Sequence, residues 1–454
     1  MKRRSHSIDM LNGPLAGKIL IFALPLMASS LIQQLFNTAD TIIVGRFAGS
    51  EALAAVGSCG YLVNLFVTFF VGFSMGSNVA ISQAFGANDL NSVRRSVHTS
   101  ISFSLVCGVL MAILGYFFAP MLLRIMSVPD DIIDMASLYV RIYFLGSPAS
   151  TAYNFGAAIL RSQGDTKRPL YYLTATGVLN VVLNLIFVIV FHMTTDGVAL
   201  ATILSQYLSA FLVIRCLCRE NGPLRLELRH LSMDRHIVGS IIRIGLPSGL
   251  ENSLYCISNM TIQSAINSFG SAVIAGGSAA SSINGLASIP HASVNQAILT
   301  FASQNYGAKQ YKRVDRVVLL GFLYSTGISL LLTNLCVLFA EPLLSIYLGS
   351  EILAIQEGAI RMRTMYPFSF LAAIMGSMTC ALRALGYSMI PMVVAIIGTC
   401  GLRVLWVIFV LPLFGTVTSL YIIWPISWAV TAITLGIFFL AIRRKVYEKA
   451  ALQL

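Results

Sequence analysis

Leu24-Pro25-Leu26-Met27-Ala28-Ser29-Ser30-Leu31-Ile32-Gln33-Gln34-Leu35-Phe36-Asn37-Thr38-Ala39-Asp40-Thr41-Ile42-Ile43-Val44-Gly45 is the stretch on which the reading of this chain turns. From Ile19 to Val44 its only formal charge is Asp40. A helix of that length, rising about 1.5 Å per residue, is long enough to cross a bilayer. A carboxylate in such a place is costly unless it faces a cavity and has a task there.

Composition extends this reading to the whole chain. The 454 residues are 57% hydrophobic and 11% charged, and the mean hydropathy is +0.80. A soluble protein carries about 25% charged residues, so the chain reads as an integral membrane protein. Long apolar runs recur throughout, and the short alternating segments of a membrane β-barrel are absent from the sequence. The net charge of +12 does not point to nucleic acid, because the basic residues lie between apolar runs. There they act as orientation signals and as contacts to anionic lipid. The eight cysteines are scattered and form no disulfide framework. The basic start Lys2-Arg3-Arg4 is not followed at once by an apolar core, so nothing there reads as a cleaved leader.

Apolar segments fall at about 19–44, 56–80, 97–119, 136–159, 170–191, 196–217, 238–266, 273–299, 317–339, 358–381, 390–411 and 416–441, which makes twelve. An even count puts both termini on one side. With that side cytoplasmic, inner segments hold twenty-four of the 30 basic residues, including Arg94, Arg95, Arg161, Arg383 and the tail Arg443-Arg444-Lys445. Arg46, Arg124, Arg141, Arg361, Arg363 and Arg403 take outer or mid-membrane positions. The bias predicts cytoplasmic termini in a cytoplasmic membrane.

The chain also repeats itself. Ile81-Ser82-Gln83-Ala84-Phe85-Gly86-Ala87 returns as Ala302-Ser303-Gln304-Asn305-Tyr306-Gly307-Ala308, an offset of 221. Leu160-Arg161 with Gly164 and Pro169 returns as Leu382-Arg383 with Gly386 and Pro391, and Leu24-Pro25 as Leu246-Pro247, both at 222. An offset of six spans preserves orientation, so the halves are parallel repeats related by a pseudo-two-fold axis along the membrane normal. The expected organisation is an all-α, twelve-span protein with an N-lobe (1–218), a cytoplasmic linker (219–236) and a C-lobe (237–454). Leu224, Leu226, Leu228 and Leu231 of the linker are expected to rest on the membrane surface or the bundle underside.

Polar residues within the spans are the candidates for function. Asp40 either binds a proton or sodium ion or is solvated near Arg46 at the outer interface. Asn180 and Asn184, four apart, share a helix face, and with Asn154 and Thr202 they offer oxygens beside one carboxylate. Such a set suits a proton network, or a sodium ion held by Asp40, Asn180 and Asn184. The same amides could instead be interhelical glue. Glu251 is the second half's only acid well inside an apolar run, and it either takes a proton or a cationic substrate or is solvated two turns beyond Arg243. Arg403 falls beside the counterpart of Asn180, where it pairs with Glu251, holds a carbonyl or snorkels. Arg161 and Arg383 read as anchors at the cytoplasmic interface. Asn37, Tyr139, Tyr255 and Met260 are candidate cavity residues, the tyrosines through cation–π contact. No Walker, kinase or dinucleotide pattern is present, so an ion gradient supplies the energy and no cofactor is expected.

Together the words Gln33-Gln34-Leu35-Phe36-Asn37-Thr38-Ala39-Asp40-Thr41, Ser82-Gln83 with Gly86-Ala87, Leu160-Arg161-Ser162-Gln163-Gly164-Asp165-Thr166-Lys167 and Ala201-Thr202 with Ser205-Gln206 resemble the multidrug and toxic compound extrusion (MATE) family, in particular its bacterial DinF-like branch. The likeness runs from about residue 12 to 445. It implies two six-helix lobes around a cavity, and export of organic cations in exchange for protons or sodium by alternating access. The partners implied are small organic cations and membrane lipids, with no nucleic acid, and the chain is expected to be a monomer and not an enzyme. The family's first-helix acid matches Asp40, and its polar N-lobe cluster matches Asn154, Asn180 and Thr202. Where the family frequently has an Asp this chain has Asn184, which removes a charge from a sodium site. Glu251 resembles the seventh-span glutamate of other branches, but its distance from Pro247 differs from theirs. The acid those branches use in the tenth span is absent between Arg361 and Arg383. Coupling is therefore expected in the N-lobe. The alternative is a flippase for a lipid-linked or amphipathic metabolite, which calls for a strongly cationic cavity.

Overall fold

The computed structural model describes residues 7–126 and 128–451. Among them all regular structure is helical. The first half contains α1 (Leu15–Ile43), α2 (Ser50–Gly86), α3 (Leu90–Ile125), α4 (Ile133–Leu145), α5 (Ser147–Ser162), α6 (Lys167–Leu185) and α7 (Thr195–Cys218). The second contains α8 (Arg235–Asn267), α9 (Ser271–Gly307), α10 (Tyr311–Leu338), α11 (Ala340–Leu348), α12 (Ile352–Met365) and α13 (Ser369–Ala384). The short α14 (Met389–Ala395), α15 (Leu402–Leu405) and α16 (Leu411–Phe414), joined by π-helical turns, and α17 (Val417–Ala451) complete it.

Among the described residues ten helical runs are long and apolar enough to cross a membrane. α8 is 33 residues long and spans the expected seventh position, although Arg243, Glu251, Asn252, Asn259 and Gln263 make it more polar. The expected fourth span is broken at Gly146 into α4 and α5, and the expected tenth is broken by a tight turn at Tyr366–Phe368. α11 has no counterpart among the expected segments. Large apolar side chains face outward, with Phe117 70%, Leu331 69% and Leu413 79% exposed. A surface of that kind belongs in lipid, and the protein is an all-α, multi-pass membrane protein.

The repeat is written into the backbone as well as the side chains. Gly49 and Gly270, at φ +95° and +101°, begin α2 and α9, and Gly164 and Gly386, at +97° and +89°, follow α5 and α13. Only glycine takes these angles without strain. Asn88 and Lys309 share a left-handed conformation at +56° and +58°.

The chain packs as two compact units. The first, the N-lobe here, holds Ala28–Gly249, and the second, the C-lobe, holds Met10–Met27 together with the residues from Leu250 on. The division cuts α1 and α8 within one turn after Pro25 and Pro247, where each helix lacks a backbone donor.

In the N-lobe, α2 and α8 cross so closely that a Cβ on Gly76 or Gly245 would meet the other helix's backbone. Residues 219–236 also belong to this unit. Leu224 and Leu226 are buried against Val93, Val97 and Ile101, while Leu228 and Leu231 stay exposed. Arg94 pairs with Glu227 at 2.8 Å and Arg95 with Asp234 at 3.3 Å. The Glu227 backbone N–H donates to His98 Nε2 at 3.1 Å, so the segment is pinned to the start of α3. In the C-lobe, the Met10 carbonyl accepts from Asn305 Nδ2 at 3.2 Å, and Phe22 lies edge-on to Phe301 with ring centroids 5.5 Å apart.

Candidate functional site

The site in the N-lobe begins with a helix contact. Phe36 of α1 lies over Gly177 of α6, and any Cβ at 177 would overlap its ring. That approach sets the next turn of α1 against the next turns of α6, where Asp40 meets Asn180 and Asn184. Asn184 Nδ2 donates to Asp40 Oδ1 at 2.6 Å. The Asn180 amide, with its nitrogen turned to the acid, donates to Oδ1 at 2.9 Å and Oδ2 at 3.1 Å. That orientation follows from chemistry, since its carbonyl oxygen facing an ionised carboxylate would oppose acceptor to acceptor. Asn180 and Asn184 are buried, and Asn184 Oδ1 has no hydrogen-bond partner. π-helical turns follow at once, at Val44–Ala48 and Ile186–Val190. Such turns are often found at functional sites.

Around this cluster lies a cavity of about 460 Å³, within the range of small-molecule sites. Asp40 is the only charged side chain among its lining residues. Phe36, Tyr139 and Tyr143 give it aromatic walls, the tyrosine rings stacked at 6.2 Å. Asn37, Asn180, Thr202, Ser205 and Gln206 supply polar surface. A lone carboxylate among aromatic faces can hold an organic cation by charge and by cation–π contact. No group of three or more His, Cys, Asp or Glu side chains gathers among the described residues.

Of the residues singled out in the sequence, Asn37, Asp40, Tyr139, Asn180 and Thr202 line this cavity, and Asn184 backs it by holding Asp40. Thr202 Oγ1 donates to its own helix at the Val198 carbonyl, 2.9 Å away. Asn154 does not join them, because its amide donates to the Ser150 carbonyl of its own helix at 2.9 Å. Gln33, Asn64, Thr176 and Ser209 line the cavity without having been singled out. Ser209 stands four after Ser205 on α7, a face shared with Thr202 and Gln206 that the sequence spacing carries.

The C-lobe candidates fall elsewhere. Glu251 forms a buried ion pair with Arg383, in the last turn of α13, at 2.7 Å. Arg403 makes no pair with Glu251. Its Nη1 donates to Asn259 Oδ1 and its Nε to Ser427 Oγ, both at 3.1 Å. Tyr255 Oη donates to Met375 Sδ at 3.5 Å, and Met260 is exposed at 39%.

The doubled sequence matches a known family model, MatE, over residues 25–186 and again over 247–409. The chain belongs to the MatE family. The two MatE matches are the two copies of the repeat. A probable multidrug resistance protein of Bacillus subtilis, YoeA, is 27% identical over 391 residues, covering 85% of this chain and 84% of that one. NorM of Thermotoga maritima, also described as a probable multidrug resistance protein, is 26% identical, covering 84% and 82%. Among solved structures, an outward-facing multidrug resistance MATE family transporter of the MOP superfamily superposes with a TM-score of 0.90 at 24% identity, covering 98% of this chain and 99% of that one. As a MatE protein the chain is a secondary transporter of small organic molecules that works by alternating access, not an enzyme.

Proposed function

We propose that the chain is an antiporter of the DinF-like branch that exports organic cations in exchange for protons taken up at Asp40, from a cytoplasmic membrane with both termini inside. The observation that carries this reading is the N-lobe cavity with one carboxylate, aromatic walls and no other charge.

The amides around Asp40 give the exchange a mechanism. With the acid ionised, Asn180 and Asn184 donate N–H groups to it, and its charge draws a cation into the cavity. At an effective dielectric near 20, a unit charge pair about 4 Å apart attracts by up to about 4 kcal/mol. Protonation removes that attraction, which corresponds to about a thousandfold in affinity. A protonated Asp40 becomes a donor, and a turn of the Asn180 amide presents its carbonyl to accept. Cargo and proton then exclude one another, and by linkage each weakens the other's binding equally. Sodium is the second reading, and the unpartnered Asn184 Oδ1 favours it, because a carbonyl oxygen beside a carboxylate suits a hard monovalent cation.

Efflux of a fluorescent organic cation from proteoliposomes, driven separately by proton and sodium gradients, tests both readings. Export under a proton gradient alone is expected from the wild-type chain, and Asp40→Asn should abolish it. Undiminished gradient-driven export by the variant would sink the assignment of Asp40, and export under sodium alone would replace the proton.

A further inference from the structure

At the repeat offset of 222, the N-lobe cavity residues Asn37, Tyr139, Thr202 and Ser205 correspond to Asn259, Arg361, Trp424 and Ser427. These counterparts come together in the C-lobe with Arg403, and the polarity is inverted. Arg361 and Arg403 are 8% and 2% exposed. Their guanidinium carbons lie 5.6 and 5.4 Å from the Trp424 ring centre, and Arg361 also sits 5.5 Å from that of Tyr421.

The partners of both arginines are neutral. Arg361 Nη1 donates to the Gly277 carbonyl at 2.9 Å, while Arg403 bonds Asn259 and Ser427. Among the described residues no carboxylate lies within 4.0 Å of either, although Glu357 stands one turn before Arg361 on α12. The same lobe neutralises Arg383 with Glu251, whereas Glu357, whose buried Oε2 has no hydrogen-bond partner and whose charge acts on Tyr421, makes no ion pair with either of these two. A buried charge without a counter-charge is costly in a membrane interior and marks a functional site.

A second observation points to a ligand. Tyr421 is fully buried, and its hydroxyl has no hydrogen-bond partner. That hydroxyl and Arg361 Nη1 flank bare Gly277, at 3.5 and 3.3 Å from where a Cβ would stand. A guanidinium and an unspent O–H donor therefore border the space that a side chain would fill.

We propose that the C-lobe binds an anion at Arg361 and Tyr421, in the field of Arg403. The ligand chemistry is a small anionic group, either a free inorganic ion or the carboxylate of an organic molecule. The site is independent of the Asp40 cavity and of the ion that drives transport.

The test uses the detergent-solubilised full chain in sodium salts of chloride, iodide, acetate and benzoate, against gluconate at matched ionic strength. All three tryptophans, Trp406, Trp424 and Trp428, are in the C-lobe, so intrinsic fluorescence reports on it. A saturable rise in unfolding midpoint with chloride, acetate or benzoate is expected, together with saturable iodide quenching that the active anion competes away. Chloride alone acting identifies a free ion, whereas carboxylates alone acting identify an organic ligand. Arg361→Gln and Arg403→Gln should lose the effect, and the exposed Arg46→Gln should keep it. If the arginine variants do not fold, Tyr421→Phe removes only the hydroxyl and should weaken anion affinity several-fold. Responses that follow ionic strength alone, linear iodide quenching, or full anion dependence in Arg361→Gln or Tyr421→Phe would overturn the site.

Discussion

The two lobes are copies in backbone and opposites in charge. The N-lobe encloses a cavity around one carboxylate, held by two amides and faced by aromatic rings. At the corresponding positions the C-lobe is filled by Trp424 between two arginines, and it keeps its carboxylate, Glu251, locked to Arg383. The packing inverts too. In the N-lobe the large Phe36 meets the small Gly177, whereas their counterparts in the C-lobe are Ser258 and Thr399. Duplication fixes where helices start, turn and cross, because glycines and prolines set the backbone. The charge each lobe carries is then free to diverge, since one or two side chains decide it.

The largest expected effect breaks the comparison on the acidic side. Asp40→Asn should weaken equilibrium binding of a monovalent organic cation by about a hundredfold to a thousandfold, the loss of one Coulomb pair in a partly buried site. Glu251→Gln should leave that affinity unchanged, because Glu251 is already spent on Arg383. Isothermal titration on the two variants decides it, and equal losses would mean the lobes share the cation. Next comes the ion pair itself. Glu251→Ala leaves Arg383 buried without its counter-charge and should cost about 3–5 kcal/mol of stability. The double variant with Arg383→Leu should recover most of it, as measured by the shift in thermal midpoint, and should still export under a gradient.

Much of this was legible in the sequence, for reasons that name its limits. The spans, the repeat and the Asp40 cluster show because their signals are local: apolar length, a recurring word, and amides four residues apart. Asn154 did not join the cluster because an amide can bond its own helix, which spacing cannot reveal. Glu251 and Arg383 lie 132 residues apart, and nothing in either segment announces the other. Arg361 looked like one more outer or mid-membrane charge, and only the packing of α12 against α9 and α17 shows it over Tyr421 and Trp424. The break at Gly146 was hidden inside an apolar run, and α11, at nine residues, is too short to stand out as a span.

A smaller effect probes the helix contact that places Asp40. Gly177→Val puts branched carbons where the Phe36 ring lies, and overpacking of this kind typically costs about 1–3 kcal/mol. It should also push α1 from α6 and weaken proton-driven export, while Gly177→Val with Phe36→Ala restores both. Export that stays normal in the single variant would show that Asp40 does not depend on this contact.

The smallest effect concerns the segment after α7, which ties only the N-lobe. The Glu227 carboxyl accepts a hydrogen bond from His230 at 2.8 Å and lies beside Arg94, and these hold it below the usual carboxylate range despite some desolvation. A depressed folded-state pKa means the unfolded chain takes up protons more readily. The stabilising contribution is therefore present above the unfolded-state value and is lost as pH falls through the folded-state value. Glu227→Gln should lower the unfolding midpoint slightly at neutral pH, with the difference from wild type vanishing in acid. High salt should shrink it, since the pair is exposed. The backbone bond from residue 227 to His98 survives the substitution, so the segment stays docked and limited proteolysis should be unchanged. New cleavage between residues 219 and 236 would mean that the charges, and not Leu224 and Leu226, hold it to the N-lobe.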